Sequence, residues 1–164
     1  MNGADALAAA AELIYREALC LDERRWDDWL ALYDEKAEFW VPAWKSETEP
    51  TSDPDSEIAL IYATSRVALE ERVARVRSGR SAASSPLPRT AHALSNLLLL
   101  PGEGLIVSSV ATTHIYDTRR RESHVYFGRC EHRLVDANGG LRIRRKKILL
   151  LNDYLATAID FYTV

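Results

Sequence analysis

Near residue 88 the hydrophobic repeat of the chain changes from about 3.6 residues to two, so a set of helices must be followed by a set of paired strands. Before that point, Leu7, Ala11, Ile14, Ala18 and Leu21 recur at helical spacing in an alanine-rich stretch, which predicts an amphipathic helix over 4–21. Trp26, Trp29, Leu30 and Tyr33 stand at i, i+3, i+4 and i+7 and predict a second helix, with Asp22 as its cap. Leu69, Val73 and Val76 share the face of a third, opened by Thr64 or Ser65 and ended at Gly79. After the small-residue linker 81–88, segments 89–100, 105–117, 122–136 and 141–152 carry strand composition. Turn signals at 101–104, 119–121 and 137–140 divide them into an antiparallel meander.

Two stretches between the helices differ from both patterns. Glu38 to Val41 is rich in strand formers and Pro42 then removes a ladder donor, so a short strand ending at the sheet margin is expected. Trp44 to Glu57 holds Pro50, Pro54 and acids at 47, 49, 53, 55 and 57 with little to bury, and reads as a long excursion. Ile58 to Tyr62 is short and apolar, compatible with a strand or with a buried helix start. The pattern as a whole is an α+β layer, with N-terminal helices packed on one face of a curved antiparallel sheet, in one domain over 1–164.

Composition narrows the function classes. A net charge of −3 argues against a general nucleic-acid binder. The two basic clusters have local explanations. Arg119-Arg120-Arg121 reads as a solvated hairpin tip, and in 142–147 strand alternation should divide the cations between two faces, solvated or facing a subunit. The N-terminus lacks a cationic leader and no apolar run reaches the length of a membrane span, so a cytoplasmic protein without membrane contact is expected. Cys20 and Cys130 are distant in sequence and form no evident disulfide framework.

Motifs for chemistry are sparse. Cys130-Glu131-His132 is half of a Rieske ligand set, but no second Cys-x-His pair accompanies it, so a strand carrying both residues on one face explains it better. His92, His114, His124 and His132 show no compact metal-binding spacing. Serine-hydrolase, P-loop and dinucleotide motifs are absent from the sequence. For an enzyme built on an α+β cone, Asp34, Tyr62 and His92 are the candidate acid and base groups, although a helix end, a core tyrosine and a satisfied histidine account for them better, since nothing in the sequence ties the three together.

Residues 26–33 (WDDWLALY) and 37–44 (AEFWVPAW), followed in order by 53–58, 72–76, 89–97 and 145–153 and by the ending Asp160-Phe161-Tyr162, resemble the small (β) subunits of aromatic-ring-hydroxylating dioxygenases. The segment Phe39 to Trp44 and the C-terminal stretch are most similar to the benzoate and anthranilate dioxygenase branch. The resemblance implies a cone-shaped, nuclear-transport-factor-like fold and a non-catalytic assembly role, as a trimer of small subunits supporting three large ones. It implies no cofactor in this chain. The Rieske 2Fe-2S cluster and mononuclear Fe(II) would sit in the large subunit, and electrons would arrive from NADH through a separate reductase. Trp44, Tyr62, Arg66, Arg75, Phe161 and Tyr162 are the expected contact residues, since aromatics and arginine anchor interfaces. A stand-alone lyase, isomerase or hydrolase using Asp34, Tyr62 and His92, and a carrier or adaptor domain, are the alternatives.

Overall fold

The alanine-rich repeat forms one long helix, α1 (Gly3–Asp22), and a single further turn and a half, α2 (Trp26–Ala31), follows it. In this computed structural model, which describes residues 3–80, 85–152, 154–155 and 157–164, the remaining elements are β1 (Tyr33–Pro42), β2 (Ala59–Ala63), α3 (Arg66–Arg77), β3 (Arg89–Leu100), β4 (Leu105–Asp117), β5 (Glu122–Ala137), β6 (Gly140–Leu150) and a 3-10 turn at Phe161–Thr163. The helix α3 begins where expected: the Ser65 hydroxyl accepts from the Ala68 N–H at 3.2 Å, satisfying one of the unpaired amides of the first turn. The four long strands lie where the period-two segments predict them.

One curved six-stranded sheet results, in the order β2-β1-β6-β5-β4-β3. All neighbours are antiparallel except β1 and β6, which run parallel because the chain returns to the sheet interior after crossing it. The helices cover one face only. Ile14, Leu21, Trp29, Leu69 and Val73 from the helical layer meet Phe39, Val107, Tyr126, Ile143 and Ile148 from the sheet, and this is the core of a cone-shaped α+β fold.

Four expectations are corrected. Tyr33 is not the last turn of a helix but the first residue of β1, because Leu32 already accepts from the Ile143 N–H and draws the chain into the sheet. Asp22 does not cap α2, whose N-cap Arg25 makes no side-chain bond; it ends α1 and ties it to β3, accepting from the Thr90 hydroxyl and the His92 N–H at 2.9 Å each. The strand at 38–41 is ten residues long and lies inside the sheet, between β2 and β6. The clean alternation expected over 142–147 is broken, since the ladder slips at Arg144: Ile143 pairs with Leu134 and Arg145 with Arg133. This bulge switches the parity of the strand, so Ile143 and then Lys146, Ile148 and Leu150 all face inward. Lys146 is thereby buried rather than solvated or presented to a subunit.

The excursion 44–57 is held as a shaped loop. Thr51 is buried, exchanging hydrogen bonds with Ala43 and donating to the Ile58 carbonyl at 3.0 Å, and Glu57 accepts from the Ser52 and Asp53 amides and pairs with Lys45. In the interior of the sheet, the backbone oxygen of Leu149 would lie 2.2 Å from any Cβ placed on Gly128, so the β5–β6 contact there admits only glycine. Gly128→Ala is expected to destabilise the fold by about 2–3 kcal/mol through overpacking against backbone that cannot yield. Urea denaturation of the variant measures this.

Candidate functional site

A side chain that must be charged stands at the centre of the cone. Glu17 of α1 is 2% exposed and both of its carboxylate oxygens accept from Lys146 Nζ at 2.9 Å. Trp29 Nε1 donates to the same carboxylate at 3.0 Å and the Tyr33 hydroxyl at 2.7 Å. Burial on its own would raise the Glu17 carboxyl; the Lys146 ammonium beside it and the donated hydrogen bonds outweigh that and hold it at about 2. The same burial, with the Glu17 charge next to it, pushes the Tyr33 phenol well above its ordinary value. This group of residues is satisfied and closed.

Two further groups adjoin it. His132 is 1% exposed, and neither ring nitrogen has a partner among the described residues. Burial, then repulsion by Lys146, lowers its pKa to about 4, so it is neutral at pH 7. Cys130 shares the face, as the strand reading of Cys130 and His132 expects, and burial pushes its thiol to about 11. A pair facing a buried ammonium in a packed interior does not suit a metal ion, and among the described residues no group of three His, Cys, Asp or Glu side chains is placed to hold one.

The rest of the interior is filled by rings. Phe161 stacks on Trp29 with centroids 4.6 Å apart, Trp26 meets Phe161 edge-on at 5.3 Å, and Tyr33 lies 4.9 Å from Trp29. The C-terminal turn is pinned by Asp160, which caps it and accepts from Arg72 of α3 at 3.1 Å. Phe161 and Tyr162, expected as contact residues, therefore belong to the chain's own core, at 0% and 2% exposure. Core aromatics and interface aromatics have the same composition, and sequence cannot separate them.

The three candidate acid and base groups are not brought together. Asp34 pairs with Arg144 at 3.0 Å on β1, Tyr62 stands on the outer face opposite Trp40, and His92 lies on the inner face of β3. The carboxylate that meets His92 is Asp22, 2.6 Å from Nδ1. Burial opposes its ionisation, but hydrogen bonds from His92 and Thr90 hold the Asp22 carboxyl below the usual range.

The unoccupied chemistry lies on the other side. The outer face of the sheet carries no helix, and Leu98, Val125, Phe127 and Leu151 are exposed there, around the exposed Arg129. Further along it, Trp40 is covered by Arg145 and Lys147, whose cations lie 5.4 and 4.5 Å from its ring. Trp44 borders this region half-buried, donating from Nε1 to the Leu150 carbonyl at 2.8 Å. Arg66 and Arg75 lie on α3, on the helical side, Arg66 paired with Glu70.

The molecule is thus a cone with an aromatic-packed centre, helices on one face of its sheet and exposed apolar side chains on the other. The family model described as "Ring hydroxylating beta subunit" matches residues 16–157, and the chain belongs to that family, the small subunits of ring-hydroxylating dioxygenases. It is 40% identical to the 2-halobenzoate 1,2-dioxygenase small subunit of Burkholderia cepacia, with 92% of each chain covered. It is 35% identical to the anthranilate 1,2-dioxygenase small subunit of Acinetobacter baylyi, with 95% of this chain and 96% of that one covered. The crystal structure of the β subunit of benzoate 1,2-dioxygenase from Burkholderia mallei superposes with a TM-score of 0.77 at 32% identity over 96% of both chains. The likeness to the benzoate and anthranilate branch read from the sequence holds.

Sequence reasoning missed Glu17 and Lys146. The signal was present: Ile143 and the pair Ile148, Leu150 have opposite parity, so one strand can bury all three only by a bulge between them, and a bulge there turns Lys146 inward.

Two outcomes are expected from this cluster. Lys146→Met leaves the Glu17 carboxylate buried without its counter-charge and should cost about 3–5 kcal/mol, whereas Glu17→Gln combined with Lys146→Met, which keeps an acceptor for Trp29 and Tyr33, should recover most of it in urea melts. For pH, an unfolded His132 takes up a proton near 6.5 while the folded one does so only near 4, so native stability falls as pH drops between those values; the lowered Glu17 adds a further loss from about 4.5 down to 2. His132→Leu should be neutral or stabilising at pH 7 and should flatten the decline between pH 6.5 and 4, as read from melting temperatures across that range.

Proposed function

We propose that this chain is a structural subunit of a Rieske non-haem iron dioxygenase acting on an aromatic acid in aromatic catabolism, and that it works by association rather than by chemistry of its own. The bare outer face of the sheet carries this reading: it places large apolar side chains and an arginine in water, the composition of a surface that is covered in an assembly. In the assembled enzyme the large subunit holds the Rieske 2Fe-2S cluster and the mononuclear iron, a reductase delivers electrons from NADH, and three copies of this chain associate with one another and with three large subunits. The packed core supports the same division of labour. Its acid, base and imidazole groups are tied to one another or enclosed by Trp29, Tyr33 and Phe161, which leaves a substrate no place beside them.

Trp44 and Tyr62 form the rim of the outer-face contact, and Arg66 and Arg75 on the helical side serve a second contact. Two interfaces of this kind suit a subunit that must touch both its own copies and a different chain.

The test is co-expression of the tagged chain with its large subunit. Phe127→Glu together with Leu151→Glu changes only exposed side chains, so the variant should fold with an unchanged far-ultraviolet spectrum and yet lose the large subunit on purification and sediment as a smaller species. Retention of a full-sized complex by that variant would remove the outer face from the interface.

A further inference from the structure

A cavity of about 250 Å³ opens at the hairpin end of the sheet, between its inner face and the C-terminal segment. Drug-sized sites run to roughly 300–1,000 Å³, so this one suits a ligand of a single ring. Part of its lining is apolar and aromatic, with Ile115, Pro86 and Tyr162; the remainder includes Arg119, Arg120 and His124.

The charge balance of the lining is positive. Asp117 is the acid in it, but its Oδ1 already accepts from the Arg119 and Arg120 amides at 2.9 and 3.0 Å, and Arg120 Nε lies 4.0 Å from its Oδ2. Those contacts lower the Asp117 carboxyl, with the Arg120 amide foremost, and fix it as part of the turn. Arg119 spends one N–H on the Ser85 carbonyl at 3.1 Å, leaving the rest of its guanidinium fork free of protein partners among the described residues. His124 adds a ring nitrogen, Nε2, that is shielded from solvent and has no partner among the described residues. Two guanidinium groups and an imidazole thus face an apolar wall across a small space. This is the arrangement that recognises a flat carboxylate: the fork matches the two oxygens and the ring lies on the wall.

We propose that this cavity is a binding site for a one-ring aromatic monocarboxylate, held at its carboxylate by Arg119 and Arg120 beside His124, with its ring against Ile115 and Tyr162. The residues named all come from this chain. It gives the small subunit a means of responding to the concentration of an aromatic acid.

The experiment is titration of the isotopically labelled 164-residue chain with benzoate and, separately, with benzamide, following the Ile115 methyl and His124 imidazole resonances. Benzoate should shift both saturably. Benzamide, which has the same ring and no charge, should bind at least about 10-fold more weakly, as should benzoate to the Arg119→Gln, Arg120→Gln double variant. Both arginines lie in an exposed turn, so that variant is expected to fold. Arg16→Gln, which removes an exposed cation elsewhere on the molecule, should leave the affinity unchanged. Equal binding of benzamide, undiminished binding by the double variant, or no saturable shift with benzoate would each overturn the proposal, and none would bear on the assembly role, which the outer-face variants test separately.

Discussion

The bond between Glu17 and Lys146 is the point at which the layers of this molecule are joined. Glu17 comes from α1, Lys146 from β6, Trp29 from α2 and Tyr33 from the start of β1, and all three partners donate to one carboxylate. A buried ion pair adds little net stability over an apolar pair of the same size, because both charges lose their water. Its effect is specificity. Once Lys146 is inside, only a packing that brings Glu17 to it is tolerable, so the helix register on the sheet and the bulge at Arg144 are set together. The aromatic stack of Trp26, Trp29, Tyr33 and Phe161 then closes around the pair and draws the C-terminal turn into the cone.

That closure has a functional consequence. A cone fold can enclose a pocket lined by acid and base groups, and function on such a fold depends on whether the interior is open. Here the centre of the cone, around Glu17 and Lys146, is packed, and the carboxylate–imidazole contact at the end of α1, Asp22 with His92, serves to fasten α1 to β3. The face of the sheet that its own helices do not cover carries its largest exposed apolar group. The apolar group around Phe127 and the cation-covered Trp40 occupy different parts of that face, so an apolar and a charged contact lie side by side on one surface.

The hairpin between β4 and β5 shows how a charge cluster divides by local geometry. Arg119, Arg120 and Arg121 follow one another, yet the turn built on Asp117 sends the first two over a cavity and leaves Arg121 with a left-handed backbone at the tip. Read as sequence, the triplet is simply a solvated turn.

The sequence by itself determined the fold class, the strand and helix spans after residue 65, and the family. These depend on local periodicity, turn chemistry and a run of ordered segments, which are properties of neighbouring residues along the chain. The tertiary structure alone decided which polar groups would meet. Asp34 was readable as a helix end and became the partner of Arg144 in a strand; Lys146 was readable as a surface cation and became the centre of the core; Phe161 and Tyr162 were readable as interface anchors and became its lid. Each of these outcomes follows from contacts between residues more than 85 positions apart, joined by a one-residue slip in β6 or by the return of the C-terminus, and no local pattern encodes the destination of a side chain whose partners are set by the closing of the sheet.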